Sequence, residues 1–285
     1  MKLRSLLFVP GDRPERMRKA CTSGAHALIL DLEDSVVKTA KSAARRHVAD
    51  FLSEAGTLDG GRVGPVLFVR INALERGMLE EDLGAVLACR PYGIVLPKAE
   101  GAGSLAALDQ ALAGTDTFIL PIVTETPKSV FQTGTYGGVT PRLCGLTWGA
   151  EDLSSAIGAS TAREADGRYR PPYELARSLT LFGAHAAGVA AIETVYPNFT
   201  DTQGFSAYTE RARQDGFSGM CAIHPAQVAL IHAAFLPNEA EIAHARRILA
   251  LFAASAGAGA FSLDGQMIDA PHIAEARRLL AQLDI

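Results

Sequence analysis

Eight places in the 285-residue chain carry an ionisable or polar group directly after a short apolar run. They are Asp12 and Arg13 after LLFVPG, the trio Asp31, Glu33 and Asp34 in LILDLED, and Arg70 and Asn72 in LFVRIN. Then come Lys98 and Glu100 in VLPKAE, Glu125 in LPIVTE, Glu151 and Asp152 in LTWGAED, Thr194 in AAIET and His224 in CAIH. Carboxylates outnumber cations in this set, and crowded carboxylates repel one another unless they are protonated or share a metal. No His/Cys cluster offers a zinc site, and hard oxygen donors favour Mg2+ or Mn2+. Mg2+ typically takes one or two protein carboxylates, a role that suits Glu125 and Asp152 on successive runs. The alternative for each is an ordinary salt bridge.

Arg70 leaves an apolar run, and its planar fork suits bidentate grip of a carboxylate or a developing oxyanion. The alternative is an ion pair with a neighbouring carboxylate. Lys98 could form a Schiff base only if desolvated; among so many carboxylates it is expected to stay charged. His224, just before Pro225, reads as a cap or outer support, and Trp148 and Tyr196 as packing residues. LTWGAEDLSS has two readings. It is a site built where an apolar run ends, or the start of a helix whose macrodipole favours acidic residues. If it is a site, Asp152 is the metal ligand and Glu151 a support or cap.

The runs that must position these groups are 6–9, 27–32, 66–71, 93–96, 118–123, 143–148, 190–195 and 220–223. Most are nearly continuously apolar, as parallel strands covered on both faces are. Between them lie helix-patterned segments such as 14–23, 38–54, 80–89, 104–113 and 172–188, with Gly24, Gly56 and Gly188 where these stop. Eight strand–helix units in this length predict a TIM (β/α)8 barrel over residues 1–236. The lack of GxGxxG after the first run weakens a dinucleotide-binding fold. Residues 237–285 predict a C-terminal extension: a helix over 239–254, a small-residue hinge at 254–259, a turn at Asp264-Gly265, and a last helix over 271–283. Hinge and turn together make this extension a candidate lid.

A hydrophobic fraction of 48% supplies a sizeable core, and a net charge of −4 argues against nucleic acid as partner. The N-terminal apolar run is too short for a secretory signal, and no run approaches the ~20 apolar residues of a membrane span. Cys21, Cys89, Cys144 and Cys221 are scattered without CxxC spacing, and Cys144 and Cys221, in apolar runs, read as buried thiols of a reducing compartment. A cytoplasmic enzyme is the expectation.

The segments RSLLFVPGDRPERMRKA, LILDLEDSV, VRIN, LPKAE, GAEDLS, TVYPNFTD and GFSGMCAIHPAQV, with MIDAP near the end, together resemble the citrate lyase β-subunit-like branch of the HpcH/HpaI aldolase and malyl-CoA lyase group. The resemblance spans roughly residues 4 to 235. It implies a TIM barrel, a homotrimer or hexamer, that binds Mg2+ and acts on CoA thioesters. Glu125 and Asp152 match the family's metal ligands and Arg70 its substrate-contacting arginine. Arg13 and Arg16 match the CoA-facing rim. Asp269 in MIDAP matches an aspartate that a C-terminal lid carries into a neighbouring subunit's active site. Met220 departs from relatives, which often have a lysine there.

The expected reaction is Mg2+-dependent cleavage of a 3-hydroxyacyl-CoA of malyl or citramalyl type into a 2-oxo acid and a shorter acyl-CoA. The catalytic residues would be Arg70 and Asp269, with Glu33 or Asp34 moving the hydroxyl proton. Alternatives are a malyl-CoA thioesterase, a citrate lyase β subunit working on a carrier-bound acyl group, and a silent binder of CoA or dicarboxylates.

Overall fold

The computed structural model describes residues 3–57, 64–165, 167–254 and 259–281. Each of the eight apolar runs is a strand: β1 (Ser5–Pro10), β2 (Ala27–Asp31), β3 (Val66–Arg70), β4 (Gly93–Leu96), β5 (Phe118–Val123), β6 (Gly145–Trp148), β7 (Ala190–Glu193) and β8 (Gly219–Ala222). All pair in parallel with their sequence neighbours, and β8 closes back on β1. The predicted TIM barrel is present. The helices between strands are α1 (Pro14–Ala20), α2 (Lys41–Thr57), α3 (Leu79–Val86), α4 (Ala102–Ala111), α5 (Pro127–Val130), α6 (Ala150–Ala156), α7 (Pro171–Ala187) and α8 (Thr202–Asp215). After β8 comes α9 (Pro225–Ala234).

Continuous apolar strands follow from burial on both faces. Inward residues such as Leu6, Ile29, Phe68, Leu120 and Ile192 fill the barrel. The opposite faces lie under helices, where apolar spacing puts Leu105 and Leu108 of α4 and Ala176 of α7 against the sheet side. Gly188 ends α7 in the left-handed conformation, at φ +70°. Gly56 ends nothing: α2 runs through it to Thr57. Met220 on β8 is fully buried, its sulfur accepting from the Thr209 hydroxyl of α8. A side chain turned toward that helix has no part in the barrel mouth.

The chain forms two compact units, Met1–His232 and Ala233–Ile285. The second holds α10 (Glu239–Ala254), an antiparallel hairpin β9 (Ala260–Leu263) and β10 (Gln266–Asp269), and α11 (Ala270–Leu280). Its own small core is Ala245, Ile248, Leu263, Ile268, Ile273 and Ala276. Asp264 and Gly265 both take positive φ, +50° and +81°, which matches the right-handed twist of a two-residue hairpin. The hinge expected at 254–259 falls mostly on residues 255–258, which lie outside the described residues, as do the last residues of the helix expected to reach 283. No helix among the described residues is long and apolar enough to cross a membrane.

Candidate active site

The parallel register brings Asp31 and Arg70 opposite each other at the C-terminal ends of β2 and β3. Arg70 donates from Nε and Nη2 to the two Asp31 oxygens, each at 2.7 Å, and its Nη1 lies 3.0 Å from Glu33. Its guanidinium also lies over the Phe8 ring, 4.9 Å from the centroid. Burial works against the charge of Arg70, but Asp31 and Glu33 hold its pKa above the ordinary arginine value. Asp31 is buried too, and the adjacent guanidinium holds it below the usual carboxylate range. Arg70 is thus ion-paired, and it also lines the cavity at the mouth.

Glu125 follows β5 and is 3% exposed. Three local features aim it. Thr124 sits at φ +66° and Lys98 at φ +50°, left-handed conformations rare for residues with a Cβ. The Lys98 backbone N–H donates to Glu125 Oε2 at 2.5 Å. A Cβ on Gly149 would fall 2.7 Å from Glu125 Cγ, so only glycine fits there. The buried Thr124 hydroxyl has no hydrogen-bond partner among the described residues. Strain and an unpaired polar atom at one point mark a place shaped for something other than stability.

Asp152 lies in the first turn of α6, directly after β6, so the acidic pair starts a helix just past the end of a strand. Lys98 Nζ reaches Asp152 at 3.0 Å, Glu33 at 2.7 Å and Asp34 at 3.4 Å. Burial opposes the Lys98 charge, yet the surrounding carboxylates keep its pKa above the ordinary lysine value. An ammonium surrounded by three carboxylates is unlike the desolvated amine a Schiff base needs. Glu33 is pushed up by burial. Glu125 is pushed up to about 8 by burial and by Asp152.

A cavity of about 310 Å3 opens at the barrel mouth, walled in part by Trp148, Phe8, Ile122 and Cys221. Asp31, Arg70, Glu125, Glu151 and Asp152 line it, and Glu33, Asp34 and Lys98 do not. Six carboxylates (Asp31, Glu33, Asp34, Glu125, Glu151, Asp152) gather around Arg70 and Lys98, with Arg76 3.9 Å from Asp34 at the edge. The deficit lies on the Glu125–Asp152 side. No cluster of three or more His, Cys, Asp or Glu side chains that could hold a metal occurs among the described residues. Two hard carboxylates, one of them raised by its neighbour, nonetheless fit an ion such as Mg2+, which leaves its other positions to water and substrate. Cys221 beneath them is pushed up to about 12 by burial, which makes it an inert thiol.

Arg13 and Arg16 stand exposed at the start of α1, Arg13 Nε lying 3.6 Å from Asp12. Glu100 turns to Lys128 and Thr126. Asn72 is fully buried and binds Asp82 through both its backbone and its amide, which ties β3 to α3. His224 accepts from the Ala226 backbone and stacks on Phe199, as a cap would. Asp269 ends β10 and caps α11, its Oδ1 2.6 Å from His272 Nδ1. Sequence reasoning passed over Glu193. This fully buried carboxylate at the end of β7 accepts from Trp148 Nε1 and Arg177 Nε, both at 2.6 Å, and so fixes the indole that walls the cavity. A carboxylate closing the apolar run AAIE was its signal.

The family model for HpcH/HpaI aldolase/citrate lyase matches residues 4–225. The chain belongs to this family. It is similar to a citrate lyase subunit beta-like protein of Mycobacterium tuberculosis, with 36% identity over 274 residues that cover 96% of this chain and 93% of that one. A (3S)-malyl-CoA thioesterase of Cereibacter sphaeroides is 32% identical over 288 residues, 99% of this chain and 94% of that one. Among solved structures, Mycobacterium tuberculosis CitE in complex with magnesium, acetoacetate and coenzyme A is similar over 100% of this chain and 99% of that one. The identity is 33% and the TM-score 0.83. Within the family's barrel, the mouth cavity is the place where catalytic groups of such folds gather.

Proposed function

We propose that this chain is a metal-dependent carbon–carbon lyase that cleaves a 3-hydroxyacyl-CoA into a 2-oxo acid and a shorter acyl-CoA. The observation that carries the reading is buried Glu125 beside half-buried Asp152, short of positive charge, facing a cavity that Arg70 also lines. Relatives crystallised with magnesium and coenzyme A, or with oxaloacetate and magnesium, support it. Glu125 and Asp152 hold Mg2+ or Mn2+, whose Lewis acidity acidifies the substrate hydroxyl and polarises the forming carbonyl.

Glu33 or Asp34 takes the hydroxyl proton; both are ion-paired to Lys98, and Glu33 also to Arg70. As the C–C bond breaks, its electron pair moves onto the thioester as an enolate. Arg70, held square by Asp31, has further N–H groups to stabilise that charge. Asp269, delivered by a neighbouring copy in a homotrimer or hexamer, returns a proton to the enolate carbon. The exposed guanidiniums of Arg13 and Arg16 suit the phosphates of CoA. Thioesterase relatives favour one second reading, hydrolysis of malyl-CoA to malate and CoA on the same site.

The test is to give the purified chain malyl-CoA and citramalyl-CoA with Mg2+. Release of glyoxylate or pyruvate with no free thiol is expected. Free thiol without 2-oxo acid identifies the thioesterase, and no turnover of either substrate refutes both.

A further inference from the structure

Lys98 touches both of the carboxylates assigned to the metal, and it does so through different atoms. Its backbone N–H binds Glu125 at 2.5 Å, while its ammonium binds Asp152 at 3.0 Å. It holds the left-handed conformation, φ +50°, that lets both contacts form at once. Its ammonium has two further acceptors, Glu33 at 2.7 Å and Asp34 at 3.4 Å. That head group is largely buried, with 14% of the side chain exposed.

We propose that Lys98 is a positioning residue that serves as resident counter-cation of the site: it holds Asp152 in place before a divalent ion arrives, then yields Asp152 to that ion while staying on Glu33 and Asp34. This rests on the reading of Glu125 and Asp152 as metal ligands. The physical reason is charge. Without a cation, Asp152 and the buried Glu125 would repel each other and splay apart. With the ammonium present, they stay gathered. Once an ion with twice the charge binds the same carboxylates, ammonium and ion repel across a short, poorly solvated gap. Glu33 and Asp34 give the ammonium a place to remain. The backbone contact to Glu125 is unaffected by the exchange, because an amide N–H carries no net charge.

Lys98→Met isolates the ammonium, since residue 98 keeps its N–H. Mn2+ alone is titrated into metal-free protein, and free ion is read by electron paramagnetic resonance at about pH 9, where the ligands are deprotonated. The wild type is expected to bind Mn2+ and Lys98→Met to bind it about tenfold more tightly, as removing a like charge from a cation site does. Metal-free Lys98→Met should melt below the metal-free wild type, and saturating Mn2+ should raise its melting temperature by more. A residue with only a structural role would weaken Mn2+ binding when removed. Equal or weaker binding by Lys98→Met therefore overturns the proposal. Absence of Mn2+ binding by the wild type instead overturns the metal reading beneath it. If Lys98→Met does not fold, Lys98→Gln is the neutral variant to use, with the same two outcomes.

Discussion

The two sides of the barrel mouth differ in how their charge is balanced. On the β2–β3 side, Arg70 is gripped by both oxygens of Asp31 and by Glu33. On the β5–β6 side, Glu125 and Asp152 share only what Lys98 can spare from Glu33 and Asp34. On the first side opposite charges lie at hydrogen-bonding distance, although Glu33 Oε2 and Asn72 Oδ1 are buried without a hydrogen-bond partner among the described residues. The second has a carboxylate pushed up to about 8, two strained backbone positions and a threonine hydroxyl unpaired among the described residues. Stability alone would select the first arrangement and not the second. The difference points to an external cation on the β5–β6 side, while Arg70 is held ready on the other.

The largest effect should come from breaking the β2–β3 side. Arg70→Met leaves Asp31 and Glu33 buried without their shared cation, and loss of one partner from a buried pair typically costs about 3–5 kcal/mol. Urea unfolding should show a loss of that order together with loss of turnover. A variant as stable as the wild type would mean that the pairing is not what balances this side.

Gly149→Ala strikes the other side. Its methyl group would stand 2.7 Å from Glu125 Cγ, so Glu125 must move. A displacement of about 1 Å at a reacting group can cost roughly a hundredfold in rate, so kcat/KM should fall by about that factor. Far-UV circular dichroism should be unchanged. Activity within a few-fold of wild type would show that the placement of Glu125 is not critical.

The smallest effect lies at the opposite end of the barrel and sharpens the contrast by having no charge to balance. There Ser5 Oγ bridges His26 Nδ1 at 3.2 Å and His232 Nε2 at 2.7 Å. Burial and the nearby Arg4 lower the pKa of both histidines. The unfolded chain therefore binds protons at higher pH than the folded one. Stability from this cluster is complete above the ordinary histidine value of 6.5 and is lost as pH falls through the lower folded values. His26→Gln should flatten the acid side of a stability-versus-pH curve. An unchanged curve would assign the acid sensitivity elsewhere.

Much of this was legible in the sequence. Continuous apolar runs show parallel strands because burial on both faces leaves no polar alternation, and all eight strands follow from that. Asp264-Gly265 announced its hairpin because few other pairs accept positive φ twice. The ends of strands picked out Arg70, Glu125 and Asp152. What stayed hidden depends on distance rather than order. The pairing of Asp31 with Arg70 arises from a register set 39 positions apart along the chain. The double contact of Lys98 depends on a left-handed backbone that a lysine does not advertise. Glu193 was hidden because its partners, Trp148 and Arg177, come from β6 and α7 and meet only when the barrel closes.

The central claim is that the β5–β6 side of the mouth is built for a divalent cation. Mn2+ titration of the wild type beside Asp152→Asn tests it most directly. The wild type should take up about one equivalent of Mn2+ per chain, and Asp152→Asn should lose that binding while remaining folded. A wild type that binds no Mn2+, or an Asp152→Asn variant that binds it as tightly, would contradict the account.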